Sequence, residues 1–179
     1  MKLILFRGRP GTGKTLMSNL LSAKIDAPIL RKDDIYDVIS LLEPDHQLRN
    51  KTTFALLYAI LHTNSGIASN IIMDCPFQFS DDIAELRRWC IEHHIDLRSI
   101  LVICSDENVW ATRFNKRAEN PSPNQLITNF DKLKERYKEM QLTPDEDELL
   151  IDSIITLDEN LNNILNFLNY TANDKSNMN

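Results

Sequence analysis

The chain is short of glycine, of cysteine, of long apolar runs and of positive charge, and each shortage excludes something. Four glycines in 179 residues rule out collagen-like sequence and leave few places where the backbone can take unusual angles. The three cysteines, Cys75, Cys90 and Cys104, are odd in number and far apart, which suits neither a disulfide framework nor a zinc site. They read as reduced core thiols. The longest apolar runs, Leu3 to Phe6, Ile71 to Met73 and Ile100 to Cys104, fall far below the roughly 20 residues that span a bilayer, so no membrane segment is expected. One lysine followed by a strand-length run that meets glycines lacks the form of a secretory leader, and the expected address is the cytoplasm. The formal net charge of −6 weighs against a surface built to track nucleic-acid phosphates.

What is present is an ordinary globular composition, 42% hydrophobic and 26% charged, in a chain long enough to bury a full core. A single domain over 1–170 is expected, followed by a disordered tail over 171–179 that contains Asn, Ser and Lys. Charge is unevenly placed. Residues 110–140 hold seven basic side chains, Arg113, Lys116, Arg117, Lys132, Lys134, Arg136 and Lys138, against four acidic ones, which suggests a face that meets anions.

Three of the glycines fall within six residues, in Gly8-Arg9-Pro10-Gly11-Thr12-Gly13-Lys14-Thr15. This is a complete match to G-x-x-x-x-G-K-[ST], the pattern of a phosphate-cradling loop. The glycines remove the Cβ atoms that would collide with a phosphate and let successive backbone N–H groups converge on one anion, while Pro10 stiffens the turn. Lys14 supplies a point charge for the β- and γ-phosphates of ATP, and the Thr15 hydroxyl an oxygen for Mg²⁺. The context agrees: Lys2 to Phe6 reads as a buried strand, and Leu16, Met17, Leu20, Leu21 and Ala23 recur at helical spacing.

Strands and helices then alternate. Pro28–Leu30 reads as a strand, a helix runs from Asp33 to Leu42, and a second helix spans about Leu48 to Ala68. Ile71–Asp74 is a core strand, Ser80 starts a helix, Ile100–Cys104 is a strand, and Ser105 caps a helix running to about Ala118. After the Pro121-Ser122-Pro123 loop comes a helix with Phe130, Leu133, Tyr137 and Met140 inward and Lys132, Lys134, Arg136 and Lys138 outward. Leu149–Ile151 is the fifth strand, with Ile154-Ile155 an alternative, and a last helix carries Leu161, Ile164, Leu165 and Leu168. Such an order implies a parallel sheet with helices on both faces.

Ligands of open parallel sheets bind beyond the carboxyl ends of the strands, so residues there are candidates. Asp33 follows the second strand, where a carboxylate can accept a proton from a hydroxyl; its alternative role is a helix cap. Asp74 ends the third strand, where it can hold a Mg²⁺-bound water or bond local N–H groups. Arg113 and Arg117 lie four apart and share a helix face, placed to neutralise a transferring phosphoryl group or else to face solvent. Trp89 and Trp110 are expected in the core.

Gly8 to Thr15, Arg31-Lys32-Asp33-Asp34, Ile71-Ile72-Met73-Asp74 and Arg113-Phe114-Asn115-Lys116-Arg117 together resemble the small P-loop kinases typified by the bacteriophage polynucleotide 5′-kinase domain, and more distantly chloramphenicol phosphotransferase and the zeta toxins. The likeness extends over most of residues 1–140. It implies a three-layer α/β fold with a five-stranded parallel sheet and a small helical lid over about 113–128. It also implies that Asp33 activates an acceptor hydroxyl and that Arg117, beside Arg113, stabilises the transferred phosphate. The polynucleotide kinase has an arginine three residues beyond the first Asp, where this chain has Tyr36, so a hydroxyl-bearing small molecule is expected as acceptor ahead of nucleic acid. The expected activity is ATP- and Mg²⁺-dependent phosphoryl transfer to a hydroxyl; the alternative is a regulatory module that binds or hydrolyses ATP without an acceptor.

Overall fold

The computed structural model describes residues 1–67, 69–138 and 142–170. Five strands alternate with seven helices: β1 (Lys2–Arg7), α1 (Lys14–Ile25), β2 (Ile29–Arg31), α2 (Lys32–Ile39), α3 (His46–Asn64), β3 (Asn70–Asp74), α4 (Ser80–Glu92), β4 (Asp96–Ile103), α5 (Glu107–Ala118), α6 (Phe130–Tyr137), β5 (Leu149–Asp152) and α7 (Leu157–Phe167). All strand pairs are parallel, in the order β2-β3-β1-β4-β5. The sheet therefore reverses its winding beside β1, and the loop after β1 opens at that switch point, where open α/β sheets hold their ligands.

Side chains of β1 alternate between two cores, as strand geometry requires. Leu3 and Leu5 join Ile71 and Met73 of β3 against Leu57 and Leu61 of α3 and Ile83, Leu86 and Cys90 of α4. Ile4 and Phe6 face the other way, with Ile72, Ile100, Val102 and Ile151, against Met17, Leu21 and Ile25 of α1 and Ile164 of α7. The expected three layers are present. A separate small cluster, Trp110, Phe114, Leu133 and Tyr137, joins α5 to α6. Among the described residues no helix is long and apolar enough to cross a membrane.

Element ends follow local chemistry and move several expected boundaries. Helix α2, expected to run to Leu42, stops at Ile39, and Leu41 and Leu42 are left 81% and 87% exposed ahead of Pro44. Helix α3 starts earlier than Leu48 because the Asp45 carboxylate accepts from the Leu48 N–H at 2.7 Å; Ala68, its expected end, lies outside the described residues. Asp106, not Ser105, caps α5, accepting from the N–H groups of Asn108 and Val109. Strand β4 begins at Asp96 because it pairs with β1 from Lys2 onward. Ile154 and Ile155 form the turn after β5. Met140 and the tail over 171–179 lie outside the described residues. Cys75 and Cys90 are buried thiols as expected, whereas Cys104 is only half-buried.

One polar knot crosses the sheet. Arg7, 3% exposed at the end of β1, donates from Nε to Glu148 Oε1 at 2.6 Å and from Nη2 to the Thr143 carbonyl at 3.1 Å. Ser99 of β4 donates its hydroxyl to the same Glu148 carboxylate. Arg87 of α4 pairs with Asp145 and Asp147, so the segment before β5 is held from two sides.

Candidate active site

The loop after β1 is built around close backbone approach. Gly8 has φ 140, and a Cβ there would lie 2.3 Å from the Val102 carbonyl oxygen, so only glycine fits. Its N–H donates to the Pro76 carbonyl at 3.1 Å, which fixes the loop to the segment leaving β3. Thr12 is buried, and its hydroxyl donates to the Arg9 carbonyl at 2.9 Å. Lys14 opens α1 and folds over the loop, donating to the carbonyls of Gly8 at 3.0 Å and Arg9 at 2.9 Å. Burial pushes its ammonium below the ordinary lysine range, with Asp74 and Asp33 pulling the other way. The free N–H groups at the start of α1 and this ammonium give the loop its affinity for anions.

Asp74, at the end of β3 and 5% exposed, is the hub beneath the loop. Its Oδ2 accepts from the Thr15 hydroxyl at 2.8 Å, lies 3.5 Å from the Ser18 hydroxyl, and pairs with Arg31 Nε at 3.3 Å. Among the described residues no group of three or more His, Cys, Asp and Glu gathers to hold a metal unaided. That suits Mg²⁺, which takes one or two protein oxygens and fills its octahedron with phosphate and water. The Thr15 hydroxyl and the Asp74 carboxylate are the oxygens that fit this description.

Asp33 and Asp34 lie in the first turn of α2, and neither caps it: the N-cap is Arg31, with no side-chain bond. Asp33 instead faces Arg117 of α5 at 3.7 Å, both groups little more than a third exposed. Arg117 also donates to Asn124 Oδ1 at 2.7 Å. Asn124 in turn donates from its backbone N and its Nδ2 to the two oxygens of Asp37, each at 2.8 Å. The loop between α5 and α6 is thereby clasped to α2 across the cleft. Arg113, one turn earlier, goes elsewhere. It donates to the Ser153 hydroxyl at 2.7 Å and to the Ser153 carbonyl at 3.2 Å, beside Gly13. The two arginines line one cleft but are anchored on opposite sides of it.

Several site residues escape a reading of the sequence. Trp110, expected as core, is indeed 7% exposed, yet its indole Nε1 donates to the Pro10 carbonyl at 2.7 Å and so holds the loop. Arg9 lies 5.8 Å from the Trp110 ring and 5.4 Å from the Tyr137 ring, a cation between two aromatic faces. Ser153 and the Asp37–Asn124 clasp have no local signature, because each depends on partners far along the chain. Tyr36 is fully buried and donates to or accepts from His46 Nδ1 at 2.6 Å. The basic segment is partly spent on ion pairs, Lys134 with Glu107 and Lys138 with Glu135.

These groups open on a cleft of about 590 Å³ that Lys14, Thr15, Asp33, Asp74, Arg113 and Arg117 all line. Pro10, Gly11 and Gly13 of the phosphate loop line the same cavity, while Gly8, Arg9 and Thr12, also expected at the site, are not among its lining residues; the cavity reaches as far as Asn50, Phe54 and Gln78. No curated protein sequence matches the chain. Its fold is shared with a Chloroflexus aurantiacus j-10-fl protein (TM-score 0.76, 19% identity, 93% of this chain and 97% of that one). It is similar to a gluconokinase from Sinorhizobium meliloti 1021 (TM-score 0.66, 16% identity, 98% and 95%). The Mycobacterium tuberculosis APS kinase CysC, solved with AMPPNP and APS, is also similar (TM-score 0.60, 16% identity, 94% and 97%). The architecture is that of the P-loop kinases, and with a family model matching residues 3–140, the chain belongs to the AAA_33 family, described as an AAA domain.

Proposed function

We propose that the protein transfers the γ-phosphate of ATP to a hydroxyl of a small molecule. The observation that carries this reading is the convergence of a complete phosphate loop, a partly exposed carboxylate at Asp33 and a lid guanidinium at Arg117 on one cleft with room for a second ligand. Phosphoryl transfer leaves little covalent work to protein groups, so positioning and charge neutralisation are what a site must supply. Amides of residues 8–15 and Lys14 would hold the phosphates. Thr15 and Asp74 would hold Mg²⁺, which when bound offsets phosphate charge. Asp33 would orient the acceptor hydroxyl and take its proton, releasing Arg117 to meet the phosphoryl oxygens. Arg113, held by Ser153 beside Gly13, would flank the phosphates from the β5 side. That the gluconokinase and APS kinase share this fold supports the reading.

Two variants test it. Lys14→Ala should keep the fold, by circular dichroism, and lose at least about a hundredfold in ADP formation. Asp33→Asn should retain ATP affinity, by calorimetry, and lose acceptor-dependent turnover by a factor of about 10² or more. If acceptors leave ADP formation unchanged in the wild type and Asp33→Asn hydrolyses ATP at the wild-type rate, the regulatory-module reading replaces this one.

A further inference from the structure

Beyond the phosphate loop the cleft wall carries a cation that pairs with no carboxylate among the described residues. Lys32 opens α2, is only 8% exposed and lines the cleft. Among the described residues its ammonium makes no hydrogen bond and no ion pair; it rests 4.3 Å from the centroid of the Tyr36 ring, which His46 holds in place. Of the other cations of the cleft, Lys14 is held on the loop carbonyls, Arg113 on Ser153 and Arg117 on Asp33 and Asn124, while Arg136 lines the cleft beside Tyr137. The carboxylates are engaged too. Asp74 is held by Thr15 and Arg31 and Asp33 by Arg117, while Asp82 lies in the first turn of α4, where the helix dipole favours a carboxylate. The ammonium of a side chain this largely buried, stacked on one ring and without an ion pair, is incompletely compensated, and an anionic ligand would complete it.

A second wall residue points the same way. Gln125, on the clasped loop opposite, lines the cleft with both Nε2 and Oε1 buried and without a partner. One amide offers a donor and an acceptor side by side, which suits a pair of hydroxyls. Lys32 directly precedes Asp33, so the two side chains spring from α-carbons about 3.8 Å apart. Both side chains line the one cleft, so an anionic group held by the first and a reacting hydroxyl met by the second can belong to a single small molecule.

We infer that the acceptor is a small polyhydroxylated anion, a carboxylate, sulfate or phosphate ester, whose charge Lys32 holds while Gln125 bonds its hydroxyls. This rests on the kinase reading above. The test begins with protein saturated with AMPPNP and Mg²⁺, so that the phosphate loop is filled and its occupancy is confirmed by calorimetry. Gluconate, glycerol 3-phosphate and sulfate are then compared with the neutral glucitol and glycerol by thermal melting. At least one anion should raise Tm by about 2 °C or more, and the neutral partners should not. Lys32→Met should abolish that shift with AMPPNP affinity unchanged, Lys32→Arg should restore part of it, and Gln125→Ala should reduce it for the hydroxylated anions but not for sulfate. In an ADP-formation screen of the wild type over the same compounds, turnover should appear with the hydroxylated anions alone, sulfate having no hydroxyl to phosphorylate. No shift with any anion, an equal shift with glucitol or in Lys32→Met, or turnover of neutral alcohols would overturn the inference. Failure of AMPPNP to bind would instead overturn the kinase reading itself.

Discussion

At position 8 the backbone sits where an added methyl would touch the Val102 carbonyl oxygen at 2.3 Å, in a region of φ that side chains rarely enter. Gly8→Ala should therefore cost about 2–4 kcal/mol of stability by denaturant melting and weaken nucleotide binding with it, since the loop can relieve the clash only by leaving β4. This requirement was legible: three glycines in six residues mark a backbone that must bend, and Lys14 and Thr15 follow at the spacing a phosphate demands. Asp33 was legible as a strand-end carboxylate, though only the structure shows that Arg117, not a helix N-terminus, occupies it. Arg9 was legible as a nucleotide-binding residue of the loop, but not by its contacts. Its place between Trp110 and Tyr137 depends on rings 100 and more positions away, which no local pattern records.

Among elements, apolar patterning with cap and breaker residues located the strands and helices, because an unbroken apolar run in β1 and helical spacing in α1 and α7 are written by the two cores they face. The ends were less legible, since they hang on single groups such as the carboxylates of Asp45 and Asp106. Least legible was the segment from α5 to α6, expected as a lid over about 113–128 on resemblance alone. Its attachment to α2 runs through Asn124, which bridges Asp37 and Arg117, beside the pair of Arg117 with Asp33. Hydrogen bonds to charged groups are worth about 1.5–3 kcal/mol each, so Asn124→Ala should free this segment while leaving the two main cores intact. The expected signature is loss of hydrogen-exchange protection confined to residues near 119–129, with KM for the acceptor raised about tenfold and little change in Tm. A global fall in Tm would show instead that the clasp belongs to the core.

For the molecule as a whole, the strand order puts β1 at the centre, and whatever holds its end holds the site. Arg7 does so through Glu148, whose side chain is fully buried. A buried pair adds little when intact, but removing one partner strands the other charge. Glu148→Gln should accordingly lower stability by about 3–5 kcal/mol, seen as a fall of roughly 10 °C in Tm. A double change of Arg7 and Glu148 to apolar residues should recover much of it. The bond from the Trp110 indole to the Pro10 carbonyl has a further, optical consequence. The chain has two indoles, and the other, Trp89, is stacked on His93 at 4.2 Å among the α3 and α4 side chains. Emission from Trp110 should therefore shift in wavelength when a triphosphate is titrated in and redistributes charge along the loop, while Trp89 contributes a constant background. Trp110→Phe should silence that response, which makes the protein its own fluorescent gauge of occupancy.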